Sequence, residues 1–356
     1  MGKEKKMKKV TVIVPCYNVA IYLDKCMEHL LNQTIGIDNI EIILVDDAST
    51  DNGATWEVIM KYERRYPDTV TAIPLKQNMR QGGARNAGLS YASGEYLMFC
   101  DADDWLALEA MEHLYQQAKE YDADVVQFQI KAVNDRTDSP CLDIKEIPQN
   151  YLLELNTEED RKHFLLDKRR AFIGNCTRKF YRMSLVHEHQ FQFAEHLIFE
   201  EPVFTVPVIL CEKRHFFLDE ELYYYYKSPY STMRSDWTGR KMDFLKVWLV
   251  LVNDLETRSL LHKYYDEISY LFFHEGYVGT IHMLASKRYT LTAEELKVMK
   301  DVLLQLFPDL LKNPYLLKEN DPLRAFFRDI LPLEIKEEKV MAINEILTDY
   351  INRTLR

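Results

Sequence analysis

Short apolar runs that stop abruptly at polar residues recur through the first third of the chain. Val10-Thr11-Val12-Ile13-Val14 ends at Pro15-Cys16-Tyr17-Asn18, and Ile40-Glu41-Ile42-Ile43-Leu44-Val45 ends at Asp46-Asp47. Tyr96-Leu97-Met98-Phe99-Cys100 ends at Asp101-Ala102-Asp103-Asp104. Runs of this length bounded by turn residues read as buried strands. Stretches with helical spacing separate them, such as the one through Trp56, Val58 and Ile59, where Thr50 or Asp51 is the expected N-cap. Strand and helix alternation up to about Phe128 predicts an α/β fold with a mostly parallel central sheet flanked by helices.

From Gln129 to Arg234 the pattern is mixed, with a polar stretch over 134–150 that reads as a loop or insertion and a tyrosine-rich strand near Tyr223 to Tyr226. After Trp237 the chain reads as helices: 242–258, 264–284, a helix to Phe307 opened by the capping box Thr292-Ala293-Glu294-Glu295, then 321–330 and 334–351. The expected domains are 1–235, divided into 1–128 and 129–235, and a helical 236–356.

Ligands of open parallel sheets bind beyond the carboxyl ends of the strands, so three strands ending in turn formers and acids predict a shared rim. Asp101 and Asp103 are two apart and leave an extended chain on the same side. Their hard oxygens suit Mg²⁺ or Mn²⁺, with a phosphate-bearing ligand completing the coordination. The plainer reading is a solvated turn in which Asp101 or Asp104 caps the next helix. Between the second and fourth strands, Gln77-Asn78-Met79-Arg80-Gln81-Gly82-Gly83-Ala84-Arg85-Asn86-Ala87-Gly88 places glycines and two arginines at a helix start, where amides and guanidinium groups favour an anion. The spacing is neither the P-loop nor the dinucleotide fingerprint.

Composition changes this picture only at its edges. The 356 residues are 47% apolar and 28% charged with 11 glycines, as in a globular chain of more than one domain. A formal charge of −11 argues against a nucleic-acid groove. The six cysteines show no CxxC spacing and several lie in apolar runs, which suits reduced core residues in a cytoplasmic protein. The basic start, with lysines at 3, 5, 6, 8 and 9, leads into the first strand without the apolar segment of a signal peptide. Those lysines would add about 1 kcal/mol each at an anionic membrane surface, the basis for an expected peripheral contact at the inner face.

In order and spacing, IVPCYN, VDDASTDN, NMRQGGARNAG and GEYLMFCDADDW together resemble the family 2 glycosyltransferases, nucleotide-sugar-dependent inverting enzymes of the GT-A fold. The resemblance implies a donor site drawing on Pro15, Tyr17, Asn18, Asp47, Asn78, Arg85, Asp101 and Asp103. Pro15 and Tyr17 would line the base pocket and Asp47 would accept a hydrogen bond from the nucleobase. Asp101 would sit by the ribose and Asp103 would bind a metal on the donor diphosphate, with Asp46 and Asp104 behind them. Ala48 and Arg80 depart from the pattern, standing where glycine is usual or frequent.

The resemblance continues through Asn175 to Arg182 and through Leu197-Ile198-Phe199-Glu200-Glu201-Pro202-Val203-Phe204. Where the family commonly has Glu-Asp before two variable residues and Phe, this chain has Glu200-Glu201. Glu201 therefore takes the place of the base that accepts the acceptor hydroxyl's proton, with Glu200 as its rival; the plain alternative is an acid pair at the start of the helix Pro202 to Leu210. The tract from Leu222 to Arg234 resembles the loop that closes on the donor, with Lys227, Ser231 or Arg234 touching the diphosphate. The implied activity is metal-assisted transfer of a sugar, UDP-linked by resemblance, to a glycan or lipid-linked hydroxyl in bacterial capsule, lipopolysaccharide or exopolysaccharide assembly. A catalytically silent relative acting as a partner module, a phosphoacceptor receiver domain and a nucleotidyltransferase are the competing readings.

Overall fold

The computed structural model describes residues 7–133, 140–142, 147, 149–167, 171, 173–227 and 238–354. The lysines at 3, 5 and 6, Ser231, Arg234 and most of the 134–150 stretch lie outside the described residues. The chain divides into two compact units, Met1–Ser235 and Asp236–Arg356.

In the first unit, β1 (Val10–Cys16), β2 (Ile40–Asp46), β3 (Val70–Pro74) and β4 (Tyr96–Phe99) alternate with α1 (Ala20–Leu31), α2 (Ala54–Arg65) and α3 (Arg80–Leu89). There follow β5 (Trp105–Leu106), α4 (Ala110–Glu120), β6 (Val125–Val133), β7 (Pro140–Leu142), β8 (Tyr151–Glu154), α5 (Glu158–Leu166), β9 (Lys179–Arg182), α6 (Met183–His189), α7 (Pro202–Cys211) and β10 (Arg214–Tyr226). Among the described residues these strands form one sheet in the order β3-β2-β1-β4-β9-β6-β10-β5, with β7 on β6 and β8 on β10.

The expected parallel pairing holds across β3-β2-β1-β4, and β6 and β10 are also parallel. Antiparallel strands complete the sheet: β9 pairs antiparallel with both β4 and β6, and β5, β7 and β8 are antiparallel additions. The physical reason is connectivity. Parallel neighbours require a crossover of a dozen or more residues, usually a helix, and the regular strand-helix alternation that supplies one ends after β6.

Alternation along the strands feeds two cores. Val10, Val12, Val14, Ile40, Ile42, Leu44, Tyr96 and Met98 pack on one face with Leu23 and Met27 of α1, Ile59 of α2 and Leu114 of α4. Ile13, Ile43, Val45, Leu97 and Phe99 pack on the other with Ala84 of α3, Val186 of α6 and Phe204 and Val208 of α7. Both faces of these strands are covered, which is why their sequences read as nearly continuous apolar runs. Helix α7 is buried over Pro202–Leu210, as its all-round apolar composition requires, with Pro202 at its first position.

The second unit is helical. Its principal helices are Asp243–Thr257, Tyr265–Leu271, Thr280–Ser286, Ala293–Leu306, Pro322–Ile330 and Glu337–Thr354. Backbone of π-helical pitch over Phe272–Gly279 joins the second to the third. Thr292 and Glu295 form the expected capping box, at 3.2 Å and 3.0 Å. No helix among the described residues is long and apolar enough to cross a membrane.

Candidate active site

The ends of β1, β2 and β4 open on a cleft of about 220 Å³. Pro15 lies at the end of β1, with Tyr17 and Asn18 just past it, Asp47 follows β2, and Asp101 and Asp103 follow β4, while Asn78 precedes α3, which supplies Arg80, Gln81 and Ala84. Leu197, Ile198 and Glu200 close the far side. Seven of the eight residues expected at the donor site thus line one cleft; Arg85 lies behind it.

Each end is fixed by a bond to a distant part of the chain. Asn18 joins β1 to β2: its side-chain oxygen accepts from the Thr50 amide at 2.7 Å and its amide group donates to Thr50 Oγ1 at 3.2 Å. Tyr17 is 40% exposed at the cleft mouth, which leaves its ring open to a planar ligand. Asp51 Oδ2 accepts from the amide and hydroxyl of Thr55, so it satisfies the start of α2 although the helix proper begins after Gly53. Asp47 is buried, and its Oδ1 accepts from the Met79 amide at 2.6 Å. Its carboxyl is pushed up to about 6, chiefly by burial, against the amides of Met79 and Arg80 and the Arg80 charge. The Met79 amide at the start of α3, where a ligand anion was expected, is therefore turned toward the protein's own carboxylate. Asn78 bonds the Asp47 carbonyl at 3.3 Å and accepts from the Arg80 amide at 3.3 Å.

Asp104 is not a helix cap. It is buried, and its carboxylate accepts from the Tyr223 hydroxyl at 2.6 Å and the Tyr226 amide at 2.8 Å. Burial and the charges of Asp103 and Asp101 hold its carboxyl well above the usual range. The same Tyr223 hydroxyl accepts from the Asp101 amide at 3.1 Å, tying the acid turn to β10. Register shifts between Leu218 and Tyr223 re-aim β10 so that Leu222 and Tyr223 are both buried.

Arg85 lies behind the cleft. Its buried guanidinium donates to Asp101 Oδ1 at 2.9 Å and forms a close ion pair with Glu200. Burial pushes the Glu200 carboxyl up, although the Arg85 charge opposes the rise. Glu201 does not line the cleft; its Oε1 accepts from the Cys176 amide at 3.1 Å. Desolvation first, and the Glu200 charge second, push its carboxyl up to about 7. Lys227 is also absent from the cleft wall, its amide donating to Val133 O at 2.9 Å.

Sequence reasoning missed two residues that position this site. Asn86 clamps the loop leading to Glu200, accepting from the Phe193 amide at 2.8 Å and donating to its carbonyl at 3.0 Å. Gly82 lets that loop approach: a Cβ there would meet the Ala194 carbonyl oxygen at 2.1 Å and Glu200 Cγ at 2.9 Å. Both stand in the glycine-arginine segment, whose density of small and polar residues was the available signal.

Backbone strain gathers around the cleft. Asn18, Ala48, Arg80, His196 and Phe199 all have positive φ, and each either lines the cleft or adjoins a residue that does. Ala48 has φ 54° and Arg80 has φ 66°, a region that suits the glycine these positions were expected to carry. Ala48→Gly is expected to raise stability by about 1 kcal/mol, since a left-handed L-residue costs roughly 1–2 kcal/mol. A thermal melt no higher than wild type would show that the Ala48 turn is unstrained.

Residues 11–189 match the family described as glycosyl transferase family 2. The chain is 29% identical over 218 residues to a poly(ribitol-phosphate) beta-glucosyltransferase of Bacillus spizizenii, a match covering 61% of this chain and 32% of that protein. It is 44% identical over 121 residues to glycosyltransferase GlyG of Streptococcus pneumoniae, covering 33% and 37%. The chain thus spans only about a third of the length of these relatives. A crystal structure of residues 1–349 of TarS from S. aureus, in complex with UDP-GlcNAc, shares the fold, with a TM-score of 0.67 over 98% of this chain and 91% of that one at 21% identity. With residues 11–189, half of its length, matched to that family, the chain belongs to glycosyl transferase family 2.

Proposed function

We propose that the chain is an inverting, metal-assisted glycosyltransferase that moves a sugar from a UDP-linked donor to a hydroxyl of a glycan or polyol-phosphate acceptor in bacterial surface-polymer assembly. The observation that carries this reading is the convergence of Asp47, Asp101 and Asp103 on one cleft beyond the carboxyl ends of parallel strands. The Bacillus relative's name supports an acceptor of the poly(ribitol-phosphate) kind. The proposed setting is the cytoplasm, at the inner membrane face if the acceptor is lipid-linked.

In this reading Pro15 and Tyr17 wall the base pocket, and the Asp47 carboxylate accepts a nucleobase N–H. Asp101 and Asp103 fit a hard divalent cation such as Mn²⁺ or Mg²⁺. Both line the cleft, and no group of three or more His, Cys, Asp or Glu among the described residues is arranged to hold an ion unaided. That donor set suits an ion held by one or two carboxylates and completed by substrate phosphates. When bound, the ion would offset charge on the leaving diphosphate.

The acceptor oxygen bonds to the anomeric carbon as its proton passes to Glu201, which stands beside the cleft-lining Glu200 rather than on the wall itself. The bond from that carbon to the diphosphate oxygen breaks on the opposite side, and its electron pair leaves with the nucleotide. Glu200 is the second candidate base because it lines the cleft, but its pairing with Arg85 opposes uptake of a proton.

Calorimetry with UDP, GDP, CMP and dTDP, with and without Mn²⁺, tests the reading. UDP is expected to bind best and to tighten with Mn²⁺, an enhancement that Asp103→Ala removes. Affinity should weaken as pH falls through about 6, where Asp47 takes up a proton and ceases to accept the nucleobase N–H. Failure of every nucleotide to bind would favour the silent-module reading.

A further inference from the structure

The charges on the cleft wall do not balance. Asp47, Asp101, Asp103 and Glu200 bring four carboxylates, and among the described lining residues Arg80 is the one lysine or arginine. Arg85, the obvious partner for a donor's phosphates, is buried and engaged by Asp101 and Glu200. Of the other candidate anion donors, the Met79 amide donates to Asp47 and the Arg80 amide to the Asn78 side chain. Arg80 has a backbone at φ 66°, a conformation that any side chain beyond glycine makes unfavourable, so a long cationic side chain is held there against local preference.

We infer that Arg80 is a donor-phosphate contact, its guanidinium supplying charge-assisted bonds that the buried Arg85 cannot. The inference rests on the nucleotide-sugar reading above.

The test uses Arg80→Gly, a substitution the backbone favours, so loss of binding is separable from loss of fold. Calorimetry of UDP at low and high salt, in Mn²⁺ and in chelator, is compared between wild type and variant, with Arg80→Gln as a second variant that keeps most of the stem without the charge. The expected result is a melting temperature at or above wild type for Arg80→Gly. UDP affinity should fall tenfold or more in both variants, and its salt dependence should be shallower. Wild-type binding of UDP matched within twofold by both variants would overturn the assignment while leaving the nucleotide-sugar reading intact. A wild type that binds no nucleotide overturns the underlying reading, and this inference with it.

Discussion

Glu201→Gln is expected to lower turnover by about three orders of magnitude while leaving UDP affinity within a few-fold of wild type. A positioned general base contributes roughly 10²–10⁴ in rate, and glutamine keeps the shape of the side chain but cannot accept the proton. The site's electrostatics suit the role. Burial and the neighbouring Glu200 charge push the Glu201 carboxyl up to about 7, so it is a stronger base than an ordinary glutamate and still substantially ionised near neutrality. Because only the ionised form accepts a proton, wild-type turnover should fall about tenfold per unit as pH drops below about 7. The residual activity of Glu201→Gln should lack that limb. Steady-state rates from pH 5 to 8.5 with saturating donor provide the check. Normal turnover in the variant, or an acid limb that persists in it, would return the role to Glu200.

Arg85→Met is expected to be the most destabilising single change at the site. The guanidinium lies between Asp101, which keeps some exposure, and Glu200, which is almost fully buried. Removing one member of a buried ion pair typically costs about 3–5 kcal/mol, because the remaining charge is left uncompensated. For a domain of this size that is a drop in Tm on the order of 10 °C. The sign with pH follows from Glu200. Its folded carboxyl is already raised by burial, and losing Arg85 raises it further, so a proton taken up at pH 5 relieves part of the penalty. The loss should therefore be larger at pH 8 than at pH 5, and Glu200→Gln in the same chain should recover part of it. Melts of the two single variants and the double variant at both pH values measure the coupling. Additive losses would mean that the two side chains do not depend on each other.

These residues also mark where the sequence could be read and where it could not. Strand ends carrying Asp47, Asp101 and Asp103 were legible because alternation and abrupt polarity are local signals, visible within about ten residues. The capping box at Thr292 and Glu295 was legible for the same reason. What holds the acids in place was not. The Arg85 pair with Glu200 spans 115 residues, Tyr223 reaches Asp104 across 119, and Asn86 reaches Phe193 across 107. No window over the chain joins such partners. Arg85 therefore read as a ligand contact and Asp104 as a possible cap, since an arginine or an acid beside a turn looks alike whether it faces solvent or a buried partner. Ala48 and Arg80 were visible as departures, but their meaning required backbone angles. Beyond β6 the sheet's direction escaped because strand pairing there depends on which distant segments meet, not on the spacing of apolar residues.

Arg85 binds positions 16 and 115 residues away into one electrostatic unit. Over evolutionary time such a unit cannot drift one residue at a time. A mutation at any corner strands charge at the others, so lineages are expected either to keep Arg85, Asp101 and Glu200 together or to replace them in concert. Homologous chains carrying only one or two of the three would be the places to look for rewired cleft walls and altered donor choice.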